Sequence, residues 1–263
     1  MKFTAKFLLT VISIPVFILL MLSINIRFQF MSSKFWTDTF AKGNVYSKIS
    51  TVITSKLESK VSDEGGVKSD ITVLTDIISP LNVKSFFEEN IRSILSYANG
   101  KAIVIEVYAP PLAPTSKDIT LEKMSLSDFL SEYNISGLNQ NTLQEIAKFG
   151  IWSWLFFSAS LAVFLLIMTF MYLLATPGSH LGGMGVVLIL SGALAVAFYF
   201  VLNYSAVLLV NNFTGSANIG TAMGVIAAPP VILEAVRIWG ITGVLALLTG
   251  IVLFFLKKPA KTN

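Results

Sequence analysis

The sequence predicts a mainly α-helical membrane protein, with a bundle of four transmembrane helices and a mostly α-helical domain outside the bilayer that contains at most a minor β element. Hydrophobic residues make up 54% of the 263 residues and charged residues 13%, about half of the roughly 25% charged content of soluble domains. The charges are also unevenly distributed, since 27 of the 34 lie between Arg27 and Gly150. This distribution excludes a plain soluble enzyme, a disordered tail protein and a nucleic-acid binder.

The first apolar segment, at about 7–26, is close to the roughly 20 residues that cross a bilayer as a helix. Lys2 and Lys6 precede it, as in a signal peptide. Its apolar run is longer than the 7–15 residues usual in a signal peptide, and no small-x-small cleavage site follows it. We therefore expect residues 1–26 to form a short cytoplasmic N-terminus and an uncleaved transmembrane anchor, bent at Pro15.

Residues 151–256 are predicted to contain three further transmembrane helices, at about 151–175, 185–210 and 230–256. Trp152 and Trp154 mark one membrane interface, and Pro229-Pro230 is expected to begin the last helix. Residues 257–263 form a basic tail. Four crossings put both lysine-bearing termini on one side, which the positive-inside rule makes the cytoplasm. The protein is then expected in the cell (plasma or inner) membrane, with residues 27–150 extracytoplasmic.

Small residues recur along the last two predicted spans. Small residues allow helix backbones to approach closely in lipid, where packing replaces the hydrophobic effect. Two interpretations follow: spans three and four pack against each other within one chain, or the strips form a seam between copies in a homo-oligomer. The residues of this helix-packing or oligomer seam are Gly185, Gly192 and Ala193 in span three and Gly240, Gly243 and Gly250 in span four.

Residues 211–229 form an uncharged outer connection that is more apolar than an ordinary exposed loop. It is predicted either to lie in the membrane interface or to enter the bundle. Glu234 and Arg237 follow it, three residues apart on one helical face. We interpret these two residues as a charge pair at the membrane interface, and paired charges inside a membrane segment are functional candidates by default.

The domain at 27–150 is predicted to contain helices at about 44–60 and 80–98, the second with Ser79 as N-cap and Asn99-Gly100 at its end. The β-branched run 103–108 predicts a strand, for which 71–74 is a candidate partner. Helices are also expected at 125–133 and 142–149, the latter running directly into span two. Glu88-Glu89 is interpreted as ordinary surface charge on the polar face of the 80–98 helix.

The sequence lacks the residues that most catalytic and metal sites require. It has no cysteine and one histidine, His180, in the predicted turn between spans two and three. That composition excludes thiol catalysis and a zinc site of the usual kind. No nucleotide-binding, zinc-protease or serine-hydrolase motif occurs. We therefore predict no catalytic, cofactor-binding or metal-binding residues, no cofactor and no enzymatic activity.

Several stretches are similar to those of uncharacterised bacterial integral membrane proteins. These stretches are Phe35-Trp36 with Asn44-Val45-Tyr46, residues 81–100 with the closing Tyr97-Ala98-Asn99-Gly100, and Trp239-Gly240. Those proteins have four transmembrane helices and one extracytoplasmic helical domain between spans one and two. The resemblance covers most of the chain, rests on unspecific motifs and implies no catalytic residue.

Three functions remain open from the sequence. The first is a non-enzymatic membrane protein whose external domain, residues 27–150, binds a protein partner as scaffold, adaptor or sensor-like subunit. The alternative is a homo-oligomeric channel or permeability element packed through the glycine faces of spans three and four. The third is an envelope enzyme that acts on lipid or cell-wall substrates. The partners expected are the lipid bilayer, a protein and further copies of the chain, and no nucleic acid.

Overall fold

The computed structural model describes residues 2–63, 78–110, 121–132, 140–175, 180–212 and 219–256, and it confirms a mainly α-helical fold with a minor β element. A π-helical segment, Asn25–Phe30, follows the first helix directly. The two short strands are Glu106–Ala109 (β1) and Glu122–Ser125 (β2). The α-helices are Lys2–Ile24 (α1), Ser33–Lys42 (α2), Val45–Asp63 (α3), Pro80–Ala98 (α4), Leu126–Glu132 (α5), Gln140–Leu173 (α6), His180–Asn212 (α7) and Ile219–Phe255 (α8).

Four helical stretches of the described chain are long and apolar enough to cross a membrane. They are Thr4–Phe30, Glu145–Leu173, Leu181–Leu208 and Thr221–Phe255. Each stretch carries at most two charged residues along its whole length. The chain is therefore a multi-pass membrane protein. The first stretch includes the π-helical segment, and Pro15 lies inside α1 without ending the helix.

The chain forms two compact units. The membrane unit contains residues 1–29, 152–205 and 232–263, and the head unit contains residues 30–151 and 206–231. Helices α6, α7 and α8 each contribute residues to both units. The predicted helix at 142–149 is indeed continuous with the helix of span two, since α6 is unbroken from Gln140 to Leu173.

The membrane unit has two clusters of buried side chains. The first centres on Phe17 and Met21 of α1, Ala195 of α7 and Trp239 of α8. The second joins Ile167, Met168 and Met171 of α6 to Val187 of α7, with Leu9 and Val16 of α1 packed against it. All four membrane-crossing helices thus contribute to the buried interior of this unit.

The head unit is built around a core of aromatic and β-branched side chains. Its buried members are Phe40, Val45, Tyr46, Ile49 and Val83, from α2, α3 and α4. Edge-to-face ring contacts connect Trp36, Phe40 and Tyr46 in sequence, with centroids 5.8 and 5.9 Å apart. The Trp36 indole Nε1 donates a hydrogen bond to the Phe30 carbonyl oxygen at 2.8 Å. The core is therefore connected to Phe30, the first residue after residues 1–29 of the membrane unit.

Helix α4 has the bounds that the sequence predicts. The Ser79 side chain accepts a hydrogen bond from the Asn82 backbone N–H, and Pro80 occupies the first helical position, where its missing N–H has no helical acceptor. The helix ends at Asn99 and Gly100, and Gly100 has a φ of 70°, a conformation that favours glycine. The prediction of a capped helix at 80–98 is confirmed.

The strand prediction is correct in kind and wrong in its bounds. Strand β1 begins at Glu106, while Ile103 and Val104 lie in an exposed bend before it. Its antiparallel partner is β2, with Val107 opposite Met124; residues 71–74, the predicted partner, lie outside the described residues. A side chain of α4 holds β1 in place, because Asn90 accepts a hydrogen bond from the Tyr108 N–H and donates one to its carbonyl oxygen.

Helix α8 begins eleven residues before the predicted start of span four, so the expectation that Pro229-Pro230 begins this helix is wrong. A proline inside a helix leaves the carbonyl four residues earlier without its N–H donor, which costs about 3 kcal/mol or more. The turns before the prolines offset that cost by burying apolar surface: Met223, Ile226 and Ala227 pack against the head-unit core. At 37 residues, α8 is also far longer than the roughly 20 residues that cross a bilayer.

Replacing Ile49 by alanine is expected to destabilise the head unit. Ile49 is 1% exposed in the core, and such truncations cost about 2–5 kcal/mol through lost transfer energy and the cavity left behind. The measurement is the thermal unfolding midpoint of the full chain in detergent. Ile94→Ala is the matched control, because Ile94 is 40% exposed on α4. Equal midpoints for the two variants would contradict this core.

Candidate functional site

The glycine faces of α7 and α8 lie against each other within one chain. A methyl group on Gly185 would lie 2.7 Å from the carbonyl oxygen of Gly250, and one on Gly192 would lie 2.6 Å from that of Gly243. A methyl group on Gly240 would lie 3.2 Å from the ring of Tyr199. These short approaches leave no room for a side chain at the two glycine pairs, so the helix backbones touch there.

Ala193 does not take part in this contact. Its side chain is exposed, whereas that of Ala195 is fully buried, and the Ala195 Cβ lies 3.1 Å from a methyl group placed on Gly243. The reason is helical geometry: residues three apart share a face, so Ala195 lies on the side of Gly192, while Ala193 is turned about 100° away. Ala193 is therefore not part of the packing of α7 on α8, and its place in a seam between copies stays a prediction.

Glu234 and Arg237 form the predicted ion pair, with Arg237 Nη1 3.6 Å from Glu234 Oε1. The side chains are 30% and 64% exposed respectively. Two amide side chains reach the same part of α8: Asn25 Nδ2 donates to the Ala235 carbonyl oxygen and Gln29 Nε2 to that of Glu234. The charge pair is therefore part of a polar contact between the π-helical segment and α8.

That polar contact was not predicted. Asn25 and Gln29 are 5% and 7% exposed and lie four residues apart in an apolar span. Buried amides in such a span need hydrogen-bond partners, which was the available signal. The acceptors on α8 could not be identified from the sequence, because they are backbone carbonyls more than 200 residues away.

The head unit contains a cavity of about 320 Å³, which we consider the candidate functional site. The cavity lies between α3, α4, α5, the residues that flank the strands, and the first turns of α8. Asn82 supplies the polar side chain of the described lining, and the rest is apolar. The lining residues are Ile53, Ile78, Asn82, Val83, Phe86, Phe87, Pro110, Leu121, Phe129 and Met223.

The neighbouring elements explain how the cavity is held. One side of α4 carries Val83 and Phe87 towards the core, and Phe86 lies beside them at the cavity. On the same helix, Asn90 bonds the backbone of Tyr108 and the Ser93 hydroxyl accepts a hydrogen bond from the Glu106 N–H. These bonds hold β1 on α4, and the pairing of β1 with β2 then positions Leu121 at the cavity.

Helix α8 forms another part of the cavity through Met223. The turn between α2 and α3 fits against this helix, because Gly43 faces Pro230 so closely that a methyl group there would lie 2.8 Å from the Pro230 Cβ. The cavity was not predicted from the sequence, because its walls come from segments as distant as Ile53 and Met223. The available signal was the excess of apolar residues in 211–229.

Glu88 and Glu89 of α4 were both predicted to be ordinary surface charge, and the structure separates them. Glu89 pairs with Arg92 at 2.9 Å on the exposed surface, as expected for surface charge. Glu88 instead accepts a hydrogen bond from the buried Tyr46 hydroxyl at 3.2 Å. Burial, together with the Glu88 carboxylate, raises the pKa of Tyr46 well above its usual value near 10. The description of Glu88 as ordinary surface charge was therefore wrong.

Comparison with protein-family models, with curated proteins and with solved structures finds no match to this chain. The assignment of a function therefore rests on the residues and their geometry.

Among the described residues, no three His, Cys, Asp or Glu side chains are grouped so that they could hold a metal ion. His180 is the first residue of α7 rather than part of the preceding turn, and its side chain lies outside the described residues.

Replacing Gly192 by alanine is expected to lower the thermal unfolding midpoint of the chain in detergent. The new methyl group would overlap the Gly243 carbonyl oxygen and the Leu247 backbone nitrogen, so α7 and α8 would have to separate. Gly224→Ala is the control, because a methyl group there meets no atom within 4 Å and alanine is favoured over glycine in a helix by about 1 kcal/mol. A lower midpoint for Gly224→Ala than for Gly192→Ala would contradict the close helix contact.

The stabilising contribution of Tyr46 is expected to decrease at alkaline pH. Because its folded-state pKa is raised, the contribution is complete below the unfolded value of about 10 and is lost as the pH rises above it. The measurement is the difference in unfolding midpoint between the wild-type chain and Tyr46→Phe at pH 8 and at pH 11. This difference should shrink or reverse at pH 11, and a difference that grows would contradict the assigned environment.

Proposed function

We propose that the chain is a non-enzymatic membrane protein whose head unit lies on the extracytoplasmic side and binds an apolar segment of a protein partner. In this role the protein would act as a scaffold, adaptor or sensor-like subunit. The observation that carries the proposal is the apolar cavity, one wall of which belongs to a helix that continues into the membrane unit.

The proposed membrane topology rests on the number of crossings and on the lysine residues near both termini. The head unit contains residues 30–151, which connect spans one and two, and residues 206–231, which connect spans three and four. Four alternating crossings put these two connections on the same side, which agrees with their common unit. Lys2 and Lys6 near one end and Lys257 and Lys258 near the other favour a cytoplasmic location for both termini. The head unit is then extracytoplasmic.

The chemistry of the cavity favours an apolar occupant. Its volume of about 320 Å³ is at the lower end of the roughly 300–1,000 Å³ found for ligand sites. Its described lining has no charged side chain and so offers no ion pair to an acidic or basic small molecule. Leu81, next to the lining residue Asn82, is 73% exposed. An apolar anchor in a cavity, with further apolar surface beside it, is the usual arrangement of energetically important contacts between proteins.

A bound segment would contact the membrane-crossing part of the chain through α8. Met223 lines the cavity, and the same uninterrupted helix carries Glu234, Arg237 and Gly243. An occupant that contacts Met223 restrains the first turns of this helix. Signalling requires that two states of α8 bind the partner with different affinities. The sensor-like role is the part of the proposal that depends on such a difference.

In the alternative function, a homo-oligomeric channel, the glycine faces of α7 and α8 would form the contacts between copies of the chain. Gly185, Gly192, Gly243 and Gly250 contact each other within one chain, and Gly240 contacts Tyr199 of the same chain. Intramolecular packing therefore accounts for these five glycines. The cavity, in contrast, has no role in packing α7 against α8, and for this reason we favour the binding function.

Filling the cavity is expected to weaken partner binding. Leu121→Trp adds a large side chain to the lining, while Glu122→Trp places the same side chain on the neighbouring exposed position and is the matched control. The partner is first identified by lysine cross-linking in native membranes and mass spectrometry. Its co-purification with each variant is then quantified at equal expression. We expect about tenfold weaker binding for Leu121→Trp, or about 1.4 kcal/mol, and no change for Glu122→Trp.

Two outcomes of this experiment would contradict the proposal. One is equal recovery of the partner with both variants, which would place the contact outside the cavity. The other is recovery of cross-linked copies of this chain alone at a fixed stoichiometry, which would favour an oligomer instead. The thermal unfolding midpoint of each variant in detergent distinguishes loss of binding from loss of the fold.

A further inference from the structure

The turn between α4 and β1 exposes two large apolar side chains. Ile103 is 95% exposed and Val104 is 57% exposed, and the exposed Lys101 precedes them. The residues on either side are held in place: Ala98 is 4% exposed and Ile105 is 6% exposed. The exposed pair is therefore a short apolar tip on a fixed turn, and its exposure to water is unfavourable.

Two contacts within the head unit hold the end of α4, next to this turn. Asn99 Nδ2 donates a hydrogen bond to the Met31 carbonyl oxygen at 3.1 Å and another to the Leu95 carbonyl oxygen at 2.8 Å. Gly150 of α6 packs directly on the Ala98 carbonyl group, so closely that no side chain would fit there. The end of α4 thus contacts both Met31 and Gly150.

One contact point directly follows an apolar span, and the other, Gly150, lies in the first turns of the apolar span Glu145–Leu173. Met31 directly follows the span Thr4–Phe30. Gly150 lies close in sequence to Trp152 and Trp154, aromatic residues of the kind enriched at membrane interfaces. The Arg27 guanidinium lies 4.3 Å above the ring of Trp154. Arginine and tryptophan side chains together are typical of the headgroup region.

We infer that Ile103 and Val104 insert into the boundary between lipid headgroups and acyl chains, with Lys101 beside anionic headgroups. The contact to Met31 and Gly150 places the tip at the level of the interface, and burial in lipid removes two apolar side chains from water. Such a contact with the bilayer holds the end of α4 at the membrane surface. The inference goes beyond the proposed function, because it requires no protein partner.

The experiment uses single cysteines, since the chain has none of its own. Ile103→Cys is labelled with the fluorophore bimane in the full chain and reconstituted into vesicles of phosphatidylcholine and phosphatidylglycerol. Leu81→Cys is the matched control, because Leu81 is also strongly exposed and lies at the other end of α4, about 25 Å along the helix. We expect a blue-shifted emission for the label at 103, and loss of its fluorescence when lipids carry a nitroxide near the headgroup. The label at 81 should show neither effect.

Two results would overturn the inference. The first is equal emission and equal nitroxide quenching for the labels at 103 and 81, which would place both in water. The second is a label at 103 that is protected in native membranes but behaves like the label at 81 in pure lipid vesicles, which would assign the tip to a protein contact. Val104→Cys, labelled in the same way, provides a second position in case the first variant does not fold.

Discussion

The packing of the first turns of α8 on the aromatic core of the head unit is the interaction on which the rest of the structure depends. Met223, Ile226 and Val231 contact the cluster formed by Phe40, Tyr46 and their neighbours. This burial offsets the two helix hydrogen bonds that Pro229 and Pro230 cannot make, so α8 remains a single helix. Without it, residues 206–231 would be an apolar connection with no place to bury its surface.

Two consequences follow from that one contact. The first is that the cavity has a wall from α8, because Met223 is carried to α3 and α4 by the same turns. The second is that the head unit and the membrane unit share a continuous helix, since α8 extends to Phe255. The cavity residue Met223 and the glycine contacts of Gly243 and Gly250 therefore belong to the same helix.

Three amide side chains connect elements that are distant in sequence. Asn90 joins β1 to α4, Asn99 joins the end of α4 to Met31, and Asn25 joins the π-helical segment to α8. In each case an amide side chain donates to a backbone carbonyl that is distant in sequence. Such a bond satisfies the N–H donor of the amide and fixes the position of one element on another.

The sequence by itself determined the four apolar spans, the mainly helical fold and the capped helix 80–98, because length, composition and end signals such as Ser79-Pro80 are local properties of the chain. It also placed glycines where α7 and α8 touch. Only the tertiary structure decided the start of α8, the partner of β1, the burial of Ala195 rather than Ala193, and the cavity. These features depend on contacts between distant segments, which can override a local signal such as a proline pair by burying enough apolar surface.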